Sequence, residues 1–277
     1  MKKISSIFIT LTTVLLVAAC GNNNDEPIDR TQTRTWKGQL LNHVVNTTSG
    51  TVMQPTMGDF QFDYSLSLDQ STLTFAPTLK VKLDGANETT FSVPAIKANN
   101  SESAKQAYTF TATGSNGISG LSGSINPFEQ LIRLSYTANA NYRVIATNDE
   151  FTSLNNNTQA VFADTTATSQ SIVYIATIDP ASMTAKVSMG NYTDVKHVRK
   201  YSHLVMKGAK VEATLKGYNI TADQIIAEDP ARLDKNGKPE KHNVTGLQVS
   251  IDLETNKVSA SLTFEGAAIG MTGALHF

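Results

Sequence analysis

One cysteine and one tryptophan are all that 277 residues hold of each, and the single tryptophan argues against a row of exposed aromatic platforms for carbohydrate. A lone thiol excludes an intramolecular disulfide, so the fold must rest on its hydrophobic core. It also leaves no cysteine pair for a zinc cluster. Charge is scarce, at 17% of residues, and balanced, with 23 Lys and Arg against 24 Asp and Glu. No block of one sign occurs, which argues against a nucleic-acid partner. Helical periodicity is absent, and the long apolar run is Ile7 to Val17. Catalytic signatures are missing too: no His-Glu-x-x-His, no Gly-x-Ser-x-Gly, no phosphate loop and no dinucleotide fingerprint. Gly120-Leu121-Ser122-Gly123-Ser124 comes nearest to a nucleophile elbow, but its glycine falls one position early and its flanks read as β-hairpin. The expectation is a protein that is not an enzyme and uses no cofactor.

What is present starts at the N-terminus. Basic Lys2 and Lys3, the apolar run and the small residues Ala18-Ala19 are the three parts of a secretory signal. The run is shorter than the roughly 20 apolar residues of a membrane-spanning helix, and polar Asn22 to Glu26 follow it directly. Val17-Ala18-Ala19-Cys20 resembles the lipobox of bacterial lipoproteins. That resemblance implies cleavage after residue 19 and lipidation of Cys20, whose thiolate is the nucleophile that accepts the lipid. Stable anchoring then requires further acylation, because one chain holds a membrane only reversibly. Residues 1–19 are thus the expected signal peptide and 20–33 a flexible acidic tether. Asp25, Glu26 and Asp29 in that tether resemble the surface-export signal of Bacteroidetes lipoproteins. The expected location is the outer membrane, lipid-anchored, on its periplasmic or surface-exposed face.

Beyond the tether the pattern is that of strands. In Phe60 to Leu68 apolar residues occupy every second position, which places Phe60, Phe62, Tyr64, Leu66 and Leu68 on one face. Leu79 to Leu83, Val249 to Leu253 and Val258 to Phe264 alternate likewise, and Asp69, Asp179-Pro180, Asn126-Pro127 and Asp252 to Asn256 supply turns. About eight strands are expected over 34–147, near 35–46, 59–69, 72–83, 89–97, 106–113, 117–125, 130–138 and 140–147. Six or seven more are expected over 168–277, with 148–167 as the connection. The fold class is all-β, as antiparallel meander barrels or half-barrels in two related domains. Two internal matches suggest the relation: Tyr64–Thr74 with Tyr174–Thr184, and Ile118-Ser119-Gly120-Leu121 with Val244-Thr245-Gly246-Leu247. Unequal spacing implies an insertion at 221–241, where Thr221 and Gln224 form a capping box for a short helix ending at Pro230, before an Asn236-Gly237 turn.

Trp36-Lys37-Gly38-Gln39-Leu40, opening this meander behind a lipoprotein signal, resembles the calycin-like β-barrel lipoproteins of Bacteroidetes. The resemblance implies a barrel or half-barrel. Lipocalins place glycine two residues before the tryptophan of their first strand, whereas Trp36 precedes Gly38, so no binding residue is carried over.

Candidate sites are few. His197 and His203, with Asp194 nearby, have a spacing that suits a shared metal or haem, but Lys196, Arg199 and Lys200 surround them and disfavour a cation. His43, His242 and His276 lack suitable neighbours in sequence. Asp234-Lys235-Asn236-Gly237 has the start of a calcium loop without its closing Glu, and a hairpin turn explains it better. No metal site is expected. Asp164-Thr165-Thr166 resembles the O-glycosylation motif of Bacteroidetes exported proteins, with Thr165 as acceptor. Two functions fit: a non-catalytic binding module for a small molecule, glycan or protein partner, or a structural, fimbrial-type subunit trimmed after Arg30 or Arg34. Both share the membrane as a partner through the N-terminal lipid. Fractionation tests the anchor: Cys20→Ala is expected to move the protein from membranes to the soluble fraction, and unchanged membrane attachment refutes it.

Overall fold

The computed structural model describes residues 33–277 apart from 86, 101–106, 163–167, 171 and 195–198. Cys20, Arg30, Thr165 and His197 lie outside the described residues. The described residues form two antiparallel sheets and no helix. The first sheet holds β1 (Arg34–Asn46), β2 (Thr56–Leu66), β3 (Thr72–Lys82), β4 (Glu88–Ser92), β5 (Ile96–Asn100), β6 (Tyr108–Ala112), β7 (Ile118–Asn126), β8 (Leu131–Ala138) and β9 (Tyr142–Thr147). The second holds β10 (Glu150–Phe162), β11 (Thr168–Gln170), β12 (Val173–Asp179), β13 (Thr184–Asp194), β14 (Arg199–Thr214), β15 (Gly217–Leu233), β16 (Pro239–Asp252), β17 (Lys257–Phe264) and β18 (Ala267–His276).

Each sheet closes on itself. β9 returns to pair with β1, with His43 opposite Ile145, and β18 returns to β10, with Gln159 opposite Gly270. β4 and β5 both lie along β3, so they act as one strand interrupted near Pro94. β11 and β12 share β10 in the same way. Counted so, each barrel has eight strands in up-and-down order, the all-β meander that alternation and turn spacing predict. Closure pairs most of the backbone groups that a sheet edge would leave open.

Inward-facing residues fill both barrels. In the first, Trp36, Phe60, Phe62, Phe75 and Phe110 form a chain of ring contacts with centroids 4.8 to 6.0 Å apart. Gly38 lies opposite Phe60, and a Cβ there would sit 2.9 Å from its ring, so the glycine gives that ring its place. In the second barrel Tyr174, Val187, Tyr192, Leu204, Met206, Ile251 and Phe264 are buried in one core. Each such side chain contributes about 1.5–3 kcal/mol of burial.

The internal matches occupy equivalent places. β7 and β16 are both sixth in their barrels, and both carry a bulge: the register slips between Ser119 and Ser122 in one and Thr245 and Gln248 in the other. Gly120 and Gly246 sit there at φ of 59° and 60°. The turns after these strands match as well. Asn126 Oδ1 accepts the Phe128 and Glu129 amides, and Asp252 Oδ1 accepts those of Glu254 and Thr255. Asp69 and Asp179 organise the second hairpin of each barrel; the Ser67 hydroxyl and the Ser71 amide and hydroxyl hold the Asp69 carboxyl down at about 2.

Two expectations are corrected. Residues 221–230 are not an inserted helix but the middle of β15, paired with β16 from Thr221–Gln248 to Asp229–Glu240. Polar Thr221, Asp223 and Gln224 imitate a helix cap but are exposed residues along a long strand. Residues 150–162 are not a connection but β10, which carries the closing pairs of the second barrel.

The two sheets share no ladder. They meet where one end of the second barrel sits on the outer face of β8, β9 and β1. Arg133 Nη2 donates to the Leu253 carbonyl at 2.6 Å and Arg143 Nη2 to that of Leu215 at 2.5 Å, while Arg143 also pairs with Glu254. His276 meets Glu129 at 2.7 Å and Gln54 donates to the Pro180 carbonyl at 3.1 Å. Leu41 and Ile145, pointing out of the first barrel, belong to the core of the second.

The bulge glycines give the fold its test. Gly120→Ala and Gly246→Ala find open space for the new methyl but force a left-handed residue, an expected cost of roughly 1–2 kcal/mol each. Gly123→Ala is expected to cost more, because its Cβ would lie 2.0 Å from the Arg133 carbonyl oxygen. Urea denaturation midpoints measure all three.

Candidate functional site

With one end of the second barrel covered by the first, its chemistry gathers at the other end. Hairpin register brings it together. Tyr192 pairs with Tyr201, Asp194 with Arg199, Ala227 with His242 and Asp229 with Glu240. Alternation turns Tyr192, Tyr201, Asp229, His242 and Phe264 inward, where all are buried. Tyr192 and Tyr201 stack with centroids 6.0 Å apart, and Phe264 and His242 meet Tyr201 edge-on at 5.0 and 5.3 Å. The Arg199 and Arg232 guanidinium carbons lie 5.1 and 5.3 Å from the Tyr201 ring centre.

Charges at this end are spoken for. Arg199 pairs with Glu240, and His242 Nδ1 meets Glu265 at 2.8 Å with Glu240 4.0 Å from its Nε2. Arg232 donates to the Lys200 carbonyl at 2.7 Å and lies 3.9 Å from Asp229. Asp234 Oδ1 accepts the Asn236 and Lys238 amides, so it closes a hairpin turn as the Asn-Gly pair predicts. Burial pushes the phenols of Tyr192 and Tyr201 up; Asp194 adds to the effect at Tyr192, while Arg199 opposes it at Tyr201. Both are neutral at ordinary pH. Lys200, Lys235, Lys238 and Lys241 form an exposed rim that makes no ion pair with a described residue, with exposed Asp234 among them and Lys241 helping to hold the Asp234 and Glu228 carboxyls down.

Internal space is small. A void of about 10 Å³ lies in the second barrel among Phe151, Tyr174, Val187, Val249, Ile251 and Val258, too little for a ligand. Larger concavities are external. One of about 550 Å³ crosses the outer face of β10, β18 and β17 over Gln159, Ser261 and Gly270. Another of about 360 Å³ lies between the barrels, bordered by Gln39, Met57, Asp149, Thr177 and Lys186.

Of the residues weighed in sequence, His203 is exposed on β14, while Asp194 is buried at the end of β13. Among the described residues no group of three metal-ligating side chains forms. Trp36 packs edge-on against Phe60 and Phe62, and Ser122 and Ser124 lie in β7, a hairpin strand. His242 and His276 do have carboxylate neighbours, 23 and 147 residues away. No local motif announces such pairs.

No family model matches this chain, and no curated protein matches it in sequence. Among solved structures it is similar to the isotype 1 transferrin binding protein B from serogroup B Neisseria meningitidis. Identity is 6% and the TM-score 0.24, over 89% of this chain and 77% of that one. Likeness at that level assigns no partner, so the site rests on its own residues.

Those residues make a sealed mouth with a basic rim rather than an open cavity. Arg199→Ala and Arg232→Ala each uncover the Tyr201 ring, with an expected loss of about 1 kcal/mol apiece. Thermal unfolding of the single and double variants checks it, and unchanged melting in the double variant contradicts it.

Proposed function

We propose that this protein is a lipid-anchored, non-catalytic binding module of the calycin-like β-barrel lipoprotein kind, held in the outer membrane through Cys20. It meets a glycan or protein partner on its outside, through the rim of the second barrel. One observation carries the reading: the second barrel is packed with its own side chains, and the void among Phe151, Tyr174 and Val187 measures about 10 Å³. A small ligand inside that barrel does not fit this packing, while the loop end offers exposed Lys200, Lys235, Lys238 and Lys241 on a rigid support. The rim cations favour a partner bearing acidic groups.

Two measurements test this reading. Native mass spectrometry of the purified protein is expected to show no stoichiometric small molecule; finding one contradicts the filled-barrel argument. On glycan and protein arrays, a variant carrying Lys200→Glu, Lys238→Glu and Lys241→Glu is expected to lose at least tenfold in binding wherever the natural sequence binds. Equal binding by both removes the rim from the reading.

A further inference from the structure

The seam between the barrels holds a histidine in an unusual position. Every residue from Leu40 to Val45 of β1 is buried, whereas an ordinary half-buried strand alternates. Leu40 and Val44 fill the first barrel, and Leu41 and His43 point the other way, into the end of the second. His43 is 1% exposed, and neither ring nitrogen has a hydrogen-bond partner. Its ring meets Tyr218 of β15 edge-on at 5.3 Å, and the Tyr218 hydroxyl is also buried without a partner. The Leu215 carbonyl, which accepts from Arg143, also lies close enough to the ring to act on it.

We propose that His43 is a proton-operated latch: a neutral imidazole keeps the second barrel seated on β1 and β9, and a protonated one releases it. The charged groups around it favour release. Arg143 of β9 bears a like charge, and Glu254 of the β16–β17 turn is spent on Arg143. Tyr218, deeply buried, is held neutral. Burial first and Arg143 second pull the imidazole down to about 4, against an opposing pull from the Leu215 carbonyl.

Opening the seam is the least costly response to that proton. The sheets share no ladder, so His43 can be hydrated with every strand pair kept, and the second core gives up only Leu41 and Ile145, which the first barrel contributes. A group whose folded pKa is depressed supports docking above its ordinary value of 6.5 and withdraws that support as pH falls toward about 4. By linkage the opening equilibrium rises roughly 70-fold between pH 7.5 and 4.5.

Hydroxyl-radical footprinting of the full-length protein in detergent, which reads side-chain exposure and is corrected for radical dose at each pH, tests the latch. Leu41, Ile145 and Tyr218, all buried at the seam, are expected to be labelled faster at pH 4.5 by up to that factor, while Leu121 of β7 and Leu262 of β17 stay protected. His43→Leu and His43→Gln, neutral at both pH values, are expected to hold the seam closed at pH 4.5, and Gln decides if Leu does not fold. Seam labelling independent of pH, an equal rise in the variants, or a rise spread over both barrels each overturns the proposal.

Discussion

A sheet must do something with its edges, and here the answer is closure: the last strand of each half returns to its first, β9 to β1 and β18 to β10. Closure at eight strands fixes an interior about as wide as two layers of side chains, and this chain spends that space on Phe, Tyr, Leu, Ile and Val. With no intramolecular disulfide available, the filling has to supply the stability that disulfides give to stapled domains. A hollow barrel would give up that core. The surfaces such a filled barrel leaves open are its turns, rims and outer faces.

The two barrels then use one plan differently. The first lends its outer wall, where Leu41, His43 and Ile145 replace the polar residues a solvated strand would show. The second lends an end, with its turn carbonyls at Leu215 and Leu253 taking the arginines of the wall. The covered end leaves the opposite mouth to carry the aromatic and ionic cluster. Arginine suits both places, because its planar head donates to carbonyls and lies over a ring while remaining charged.

Much of this was legible in sequence where physics is local. Phe60 and Phe62 fall on every second position, and Asp69, Asn126, Asp179 and Asp252 cap the amides of their own turns. Gly120 and Gly246 betrayed the repeat because only a glycine meets the left-handed backbone of the bulge without strain. β10 was hidden because Asn155, Asn156 and Asn157 have poor strand propensity, and its partners on β18 lie over a hundred residues on. β15 was hidden by polar residues that read equally well as a cap. The mouth and the seam join residues from five or more strands, and no window along the chain contains them.

Docking an end onto a wall joins two different surfaces, so in a duplicated chain it has a direction that a self-complementary contact would lack. The strands of the second barrel equivalent to the wall strands β8, β9 and β1 are β17, β18 and β10. Their outer face carries Asn157, Gln159, Ser261, Thr263 and Thr272, with Val161 an exposed apolar side chain among them and none of these side chains buried in a neighbouring core as Leu41 and Ile145 are. Polar side chains there keep their hydration, whereas burying them unpaired would cost about 1–3 kcal/mol each. The same strand plan thus presents an adhesive wall once and a wetted wall once. The difference lies in outward positions that leave the barrels' interiors untouched, so wall and core can vary independently along a single alternating strand.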